Sequence, residues 1–383
     1  MLLEYSIGFV KNVTKVASHF IRNGKKREDY LSEEEHKWLS EAEKVGIAKI
    51  EKDLEAECAA PERERLEKML CHLYGHNGET LQALSDFSPD KTKKIRVLKE
   101  GYDSCTKSMR YSKLETGDDR IYNAGIWARS GEIAIAIAEA SEEIDGKKEW
   151  YERGYSDMGD CIGRLSASGV LNKEMVIIAR KKRSYAAGKM TGFTEGNKKL
   201  EWLKKDEEDM EALVIINDAH AGEKYHYKQI HKIGRIKEAI ADCIENCDGK
   251  IKLLGEACKR YEDAYKGLKD NDDIAASIAL RNAGIAAYKR YKITGENDYR
   301  EKCVEFCAIM TRWYEKSPET TGIKRQDYHN IMTMGNNLKR KRGQVKKLNG
   351  EEEDKGGRKM RIHKERETTR KPTTRELLEH EEE

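Results

Sequence analysis

The sequence predicts an all-α chain, a stack of antiparallel helix pairs ending in a disordered tail, on three observations. Charged residues make up 37% of 383 positions, proline occurs only 4 times, and Ala, Glu, Lys, Leu and Ile dominate before residue 320. Such usage suits long helices and starves a sheet of β-branched strands and of the turns between them. Apolar residues also recur with helical period, as in Ile251, Leu254, Cys258, Tyr261, Tyr265 and Leu268, or Tyr299, Cys303, Phe306, Cys307, Met310 and Trp313. Finally, helix-start signals precede the stripes throughout.

The first 30 residues form one element. Leu3, Ile7, Val10, Val13, Ala17, Phe20 and Ile21 share a helical face, and end repeats of a helical array need a cap, so residues 1–30 read as an amphipathic capping helix. Glu4 interrupts the apolar stretch and no small-residue cleavage site follows, so it does not read as a signal peptide. No run is long and uncharged enough to span a bilayer, and solubility in the cytoplasm is the expectation. Nine cysteines scattered through helical patterns read as reduced, buried apolar residues.

Residues 31–335 read as the helical body. Ser32 with Glu35 makes a capping box, Ser88 and Ser317 each precede a proline placed to begin a helix, and Asp118-Asp119 and Asp272-Asp273 precede two more. The alanine-rich stretches from Ile133 and Ile274 are apolar on more than one face, as inner helices sandwiched between neighbours are.

A signature repeats without a fixed period. Leu70, Cys71, Tyr74, Gly78, Ala83 and Phe87 follow the offsets of L-G-x2-Y, a turn glycine and A-x3-F. Weaker versions surround Gly131 (Ala124, Trp127, Ala136, Ala140), Gly234 (Tyr227, Ile230, Ala239, Cys243) and Gly295 (Tyr288, Tyr291, Tyr299, Phe306), with Thr191-Gly192 as a further turn. This pattern resembles the tetratricopeptide-type α-solenoids, with longer and less regular repeats than the usual 34 residues. The resemblance implies a right-handed solenoid in which each glycine marks a turn between two helices. Small residues there let antiparallel helices approach, and overpacking Ala239 with phenylalanine is expected to destabilise.

Residues 336–383 read as a disordered charged tail. Lys339 to Lys371 holds 14 Lys and Arg against 6 Asp and Glu, whereas Pro372 to Glu383 has 1 Arg against 5 Glu. The remainder is close to neutral, which leaves no general polyanion-binding surface on the body. The basic block is expected to bind RNA, DNA or another polyanion weakly and without sequence preference, since it carries charge but nothing for bases to stack on, and its other reading is a solubilising tail that pairs with its own acidic end.

Function follows from architecture. The expected role is a non-catalytic scaffold or adaptor holding a peptide or protein partner on its inner helices, with no cofactor. Its candidate contacts are the polar residues interrupting those helices: Asn123, Asn217, His220, Arg281 and Asn282. The alternative is a nucleic-acid-associated helical protein acting through the tail, and a third reading is a helical metalloprotein or enzyme. For the last, His226, His231, Cys243 and Cys247 have the spacing of a zinc site read backwards, if a hairpin turns at Gly234. Histidines five apart diverge by about 140° on a helix, so core residues are the preferred reading of these cysteines. The His72 and His76 pair lacks the glutamate of a metalloprotease motif and reads as a wet helix end, and no phosphate-loop, dinucleotide or nucleophile-elbow motif occurs.

Overall fold

The computed structural model describes residues 32–56, 59–112, 117–167, 172–217, 223–270, 272–316 and 333–340. The expected capping helix at 1–30, His220, the Ser317-Pro318 start and the tail beyond 340 lie outside the described residues. Among those described, every element is a helix: α1 Glu33–Glu55, α2 Ala60–Asp86, α3 Lys91–Tyr111, α4 Gly117–Ala140, α5 Ile144–Ala167, α6 Lys173–Met190, α7 Gly196–Ile216, α8 Lys224–Cys243, α9 Cys247–Leu268, α10 Asp273–Thr294 and α11 Asn297–Lys316. Residues 333–340, across the boundary expected at 335, form a separate helical stretch.

Local chemistry sets most helix starts. Ser32 and Glu35 cap each other reciprocally at α1, and the Asp272 carboxylate accepts from the Ala275 backbone N–H at α10. Two expected starts move. Asp90, not Ser88, caps α3 by accepting from Thr92 and Lys93, because its carboxylate is the better acceptor one turn from the first free N–H groups. Asp118 and Asp119 fall inside α4, which begins at Gly117.

Each helix packs along its predecessor and successor, so the chain is a succession of antiparallel pairs. The even-numbered helices form the closer-set layer, where α2 approaches α4, α4 approaches α6, and α8 approaches α10. Apolar clusters bridge only two to four consecutive helices, for example Cys71 of α2, Leu98 and Cys105 of α3, and Ile126, Ile133 and Ile137 of α4. This is the nearest-neighbour construction of a helical repeat protein. Ile133, Ala134, Ile135, Ile137 and Ala138 are all buried, as expected of an inner helix.

The glycines occupy a different place from the one the motif implies. Gly295 does end α10 in the left-handed conformation with φ 69°, and Thr191 caps α6. Gly78, Gly131 and Gly234 sit in the middle of α2, α4 and α8. There they let two helices close upon each other. A Cβ on Gly131 would lie 3.0 Å from Met158 and 3.1 Å from the Gly154 carbonyl, and one on Gly234 would lie 2.7 Å from the Tyr261 ring. The facing pairs Gly78/Gly101 and Gly131/Gly154 share one spacing, and the true repeat emerges from them. Gly78, Gly131, Gly188, Gly234 and Gly284, one per even helix, come 46 to 57 residues apart. At Gly78 and Gly131 an added Cβ would meet the backbone carbonyl of the facing helix at 3.0 and 3.1 Å, so a larger side chain there would push the helix axes apart.

Buried polar side chains follow the same register. Ser104 donates to Asn77 Oδ1 at 3.0 Å between α2 and α3, and Ser130 donates to Asp157 Oδ2 at 2.6 Å between α4 and α5. Burial pushes the Asp157 carboxyl up to about 6, against the hydrogen bonds from Ser130 and Tyr102 that hold it down. The native state therefore binds this proton more tightly than the unfolded chain. Asp157's contribution to stability is full below the unfolded value near 4 and is lost as pH rises through 6. Asp157→Asn, which does not titrate, should be about 1–3 kcal/mol more stable than the parent at pH 7.5, with the gap closing at pH 4.5. Urea denaturation at the two pH values checks this, and a gap that widens towards acid would contradict it.

Candidate functional site

A groove of about 490 Å³ opens on the even-helix layer between α8 and α10, with Tyr261 of α9 as its floor. The sequence builds it by spacing. On α8, Lys224, Lys228, His231, Arg235, Glu238 and Asp242 recur at intervals of four and three residues and form one polar stripe, exposed except at the half-buried His231 and Glu238. On α10, Ile278, Arg281, Asn282 and Ile285 do the same opposite it. Gly234 and the Tyr261 ring in contact with it bring α9 close beneath, so the tyrosine supplies an apolar base with its hydroxyl donating to Glu238 at 2.8 Å.

The groove is positive where Arg235 and Arg281 stand and neutralised where Glu238 and Asp242 meet Lys289. Glu238 and Asp242 both pair with Lys289, at 3.0 Å each. Arg235 is exposed and has no carboxylate partner among the described residues. His231 sits beneath it, 3.1 Å from Asn282, and its imidazole is depressed to about 4 by burial first and then by Arg235 and Arg281. A neutral imidazole, an amide, two guanidiniums and a tyrosine-carboxylate pair make a recognition surface. They contain no nucleophile held by a base.

Of the sequence-predicted residues, the structure brings Arg281 and Asn282 together in this groove and places Asn123 and Asn217 elsewhere. Asn123 is 3% exposed inside α4, with Oδ1 4.0 Å from the Cys71 thiol of α2, so it is part of the core. Asn217 caps the C-terminus of α7, and its buried amide donates to Gln229 at 3.2 Å. Both satisfy neighbouring helices, the usual fate of buried amides.

The backward zinc spacing does not converge. With Gly234 inside α8, His226 and Cys243 lie at opposite ends of that helix, about 25 Å apart at 1.5 Å per residue. His226 is buried against Tyr227, Cys247 is exposed on α9, and among the described residues no three His, Cys, Asp or Glu side chains gather to hold a metal. His72 and His76 are likewise not at a helix end but in mid-α2, packed on the Tyr122 ring of α4. Ala239 is partly buried on the groove wall and packs against the α7–α8 apolar cluster, so a larger residue there enters the groove and presses on that cluster.

Arg235 and the tyrosine floor are functional candidates that the sequence motif did not single out. The signal was present in the residue after each crossing glycine: Glu79, Glu132, Lys189, Arg235 and Ile285. Arg129 joins Glu79 and Glu132 at 3.2 and 3.6 Å, and Arg235 and Ile285 line the groove.

No protein-family model matches the chain, and no curated protein matches it. Several solved helical structures are similar. A circular tandem repeat protein with novel repeat topology is 11% identical, covers 91% of this chain and 92% of its own, and has a TM-score of 0.32. The nuclear import adaptor Nro1 of S. pombe is 8% identical over 69% of this chain and 94% of its own, with a TM-score of 0.34. A computationally designed self-assembling cyclic homooligomer is 10% identical, covering 88% and 99%, with a TM-score of 0.28. Similarity at these values has no bearing on function.

Proposed function

We propose that this protein is a non-catalytic cytoplasmic scaffold that holds a segment of a partner protein on its even-helix face, seated in the groove between α8 and α10. The groove carries the reading. It combines a volume of about 490 Å³ above the buried Tyr261, and half-buried apolar edges at Ile278 and Ile285, with donors on Arg235, Arg281 and Asn282. Apolar area supplies affinity for a side chain entering such a groove, and few well-placed polar groups orient the backbone.

Panning a random peptide library on the full-length protein tests the reading. Peptides should be enriched whose binding falls at least tenfold in Ala239→Phe, which fills the groove from its wall. Enrichment of no peptide, or of peptides that bind both proteins equally, would end it. The urea midpoint of the variant separates a blocked groove from an unfolded chain.

A further inference from the structure

We infer that the segment held on this face is acidic, an extended peptide whose carboxylates meet a basic surface running across α6, α8 and α10. This deepens the scaffold reading and rests on it. Those three helices together carry 15 Lys and Arg against 4 Asp and Glu, whereas α7, on the opposite layer, carries 4 against 6. From α6 to α10 the excess of basic residues therefore lies on the even layer, whereas α2 and α4 of that layer are acidic.

Much of this charge is neutralised within the fold. Asp209 of α7 accepts from Arg180 and Arg183, Asp206 from Lys232, and Glu207 from Lys237, all within 3.1 Å. Asp272 takes Lys224 and Lys228. What remains is a row: Lys181 and Lys189 on α6 and Arg235 on α8 lack a carboxylate partner among the described residues, and Lys182 has only Glu132 at 3.8 Å. Lys182, Lys189 and Arg235 are exposed. The Lys181 ammonium lies 4.4 Å from the Tyr225 ring and so joins α6 to the start of α8, the helix whose Arg235 stands on the groove wall.

Two features favour a peptide over a single-stranded nucleic acid. Aromatic rings that would stack bases are engaged: Tyr225 lies against Lys181, and Tyr185 donates to Glu139 at 2.5 Å. Glu238 and Asp242 also interrupt the face, and Glu132 and Glu139 of α4 border it. A phosphate chain, with a charge at every nucleotide, meets these carboxylates, whereas a peptide places its charges only where cations stand.

The test uses the full chain and three fluorescent probes: a 12-residue peptide with glutamate at alternate positions, the same peptide with lysine in its place, and an oligothymidylate of 12 nucleotides. The acidic peptide should bind, the lysine peptide should not, and Lys182→Gln/Lys189→Gln/Arg235→Gln should weaken the acidic peptide at least tenfold at low salt. The basic block from Lys339 to Lys371 is common to both proteins, so the difference between them isolates the helical face. Exposed side chains are replaced, and an unchanged urea midpoint confirms folding; Lys182→Ala/Lys189→Ala/Arg235→Ala repeats the measurement if it shifts. Acidic peptide bound equally by parent and variants, or lysine peptide bound as well as acidic, would overturn the inference. So would oligothymidylate bound more tightly than the acidic peptide and released by the same substitutions. Library peptides that are not acidic yet depend on Ala239 would leave the scaffold reading standing while removing this one.

Discussion

Asp209→Ala is expected to lose about 3 kcal/mol or more of stability, because it removes the only fully buried member of an ion cluster and strands its cations. Asp209 is 0% exposed and accepts a fork from Arg183, at 2.7 Å to Nε and 2.6 Å to Nη2, with Arg180 at 3.0 Å. Burial pushes its carboxyl up, and the two guanidiniums act in the opposite sense. Removing the carboxylate leaves Arg180 and Arg183, both partly buried at the α6–α7 contact, without their main partner. The pair's own net contribution is smaller than the loss, since desolvation offsets much of the attraction. Asp209→Leu/Arg180→Leu/Arg183→Met should therefore recover much of the stability lost in Asp209→Ala. Urea denaturation of the three proteins decides between an ion cluster and simple packing. Equal losses in the single and triple variants would mean that packing volume, not stranded charge, sets the cost.

The helical class and the inner helices were legible because they rest on composition and short-range period. Cys303, Phe306, Cys307 and Met310 are buried as the stripe on α11 required, and so are Leu254, Cys258, Tyr261 and Leu268 on α9. The repeat register was not legible. A glycine reads alike as a turn and as a close crossing, since both need the absence of a Cβ, and only the position of the partner helix separates them. Reading Gly78, Gly131 and Gly234 as turns displaced every helix boundary around them. It also created the apparent zinc hairpin, because His226 and Cys243 approach each other only if the chain reverses at Gly234.

The site was legible in part for a related reason. Polar residues interrupting inner helices point either into the next helix or onto the layer's open face, two directions one residue apart on a wheel. Asn123 and Asn282 occur in the same tetrapeptide, NAGI, yet one is core and the other lines the groove. Their distance from the crossing glycine differs: Asn282 precedes Gly284 by two residues, and Asn123 precedes Gly131 by eight. Counting from that glycine sorts them, and the count also reveals the change of sign from Glu79 and Glu132 to Lys189 and Arg235.

If the crossing glycines set the repeat, substituting them must have the opposite sign to substituting other helical glycines. Gly163 of α5 is exposed and meets nothing within 4 Å, so Gly163→Ala should gain about 0.5–1 kcal/mol from helix propensity alone. Gly131 is buried against Met158 and the Gly154 backbone, and Gly154 in turn is held against Ile135, where its own Cβ would lie at 2.8 Å. Met158 can swing aside, but the Gly154 carbonyl belongs to α5 and moves only if the helix moves. Gly131→Leu should therefore cost about 3 kcal/mol, the upper end of overpacking, since it separates α4 from α5 along their whole contact. Gly131→Ala should fall between, its propensity gain offset by a contact tighter than van der Waals separation. Thermal and urea midpoints of the three variants test this ordering. A Gly131→Leu protein as stable as the parent would show that the α4–α5 crossing tolerates a side chain and that the spacing of 46 to 57 residues is not a structural period.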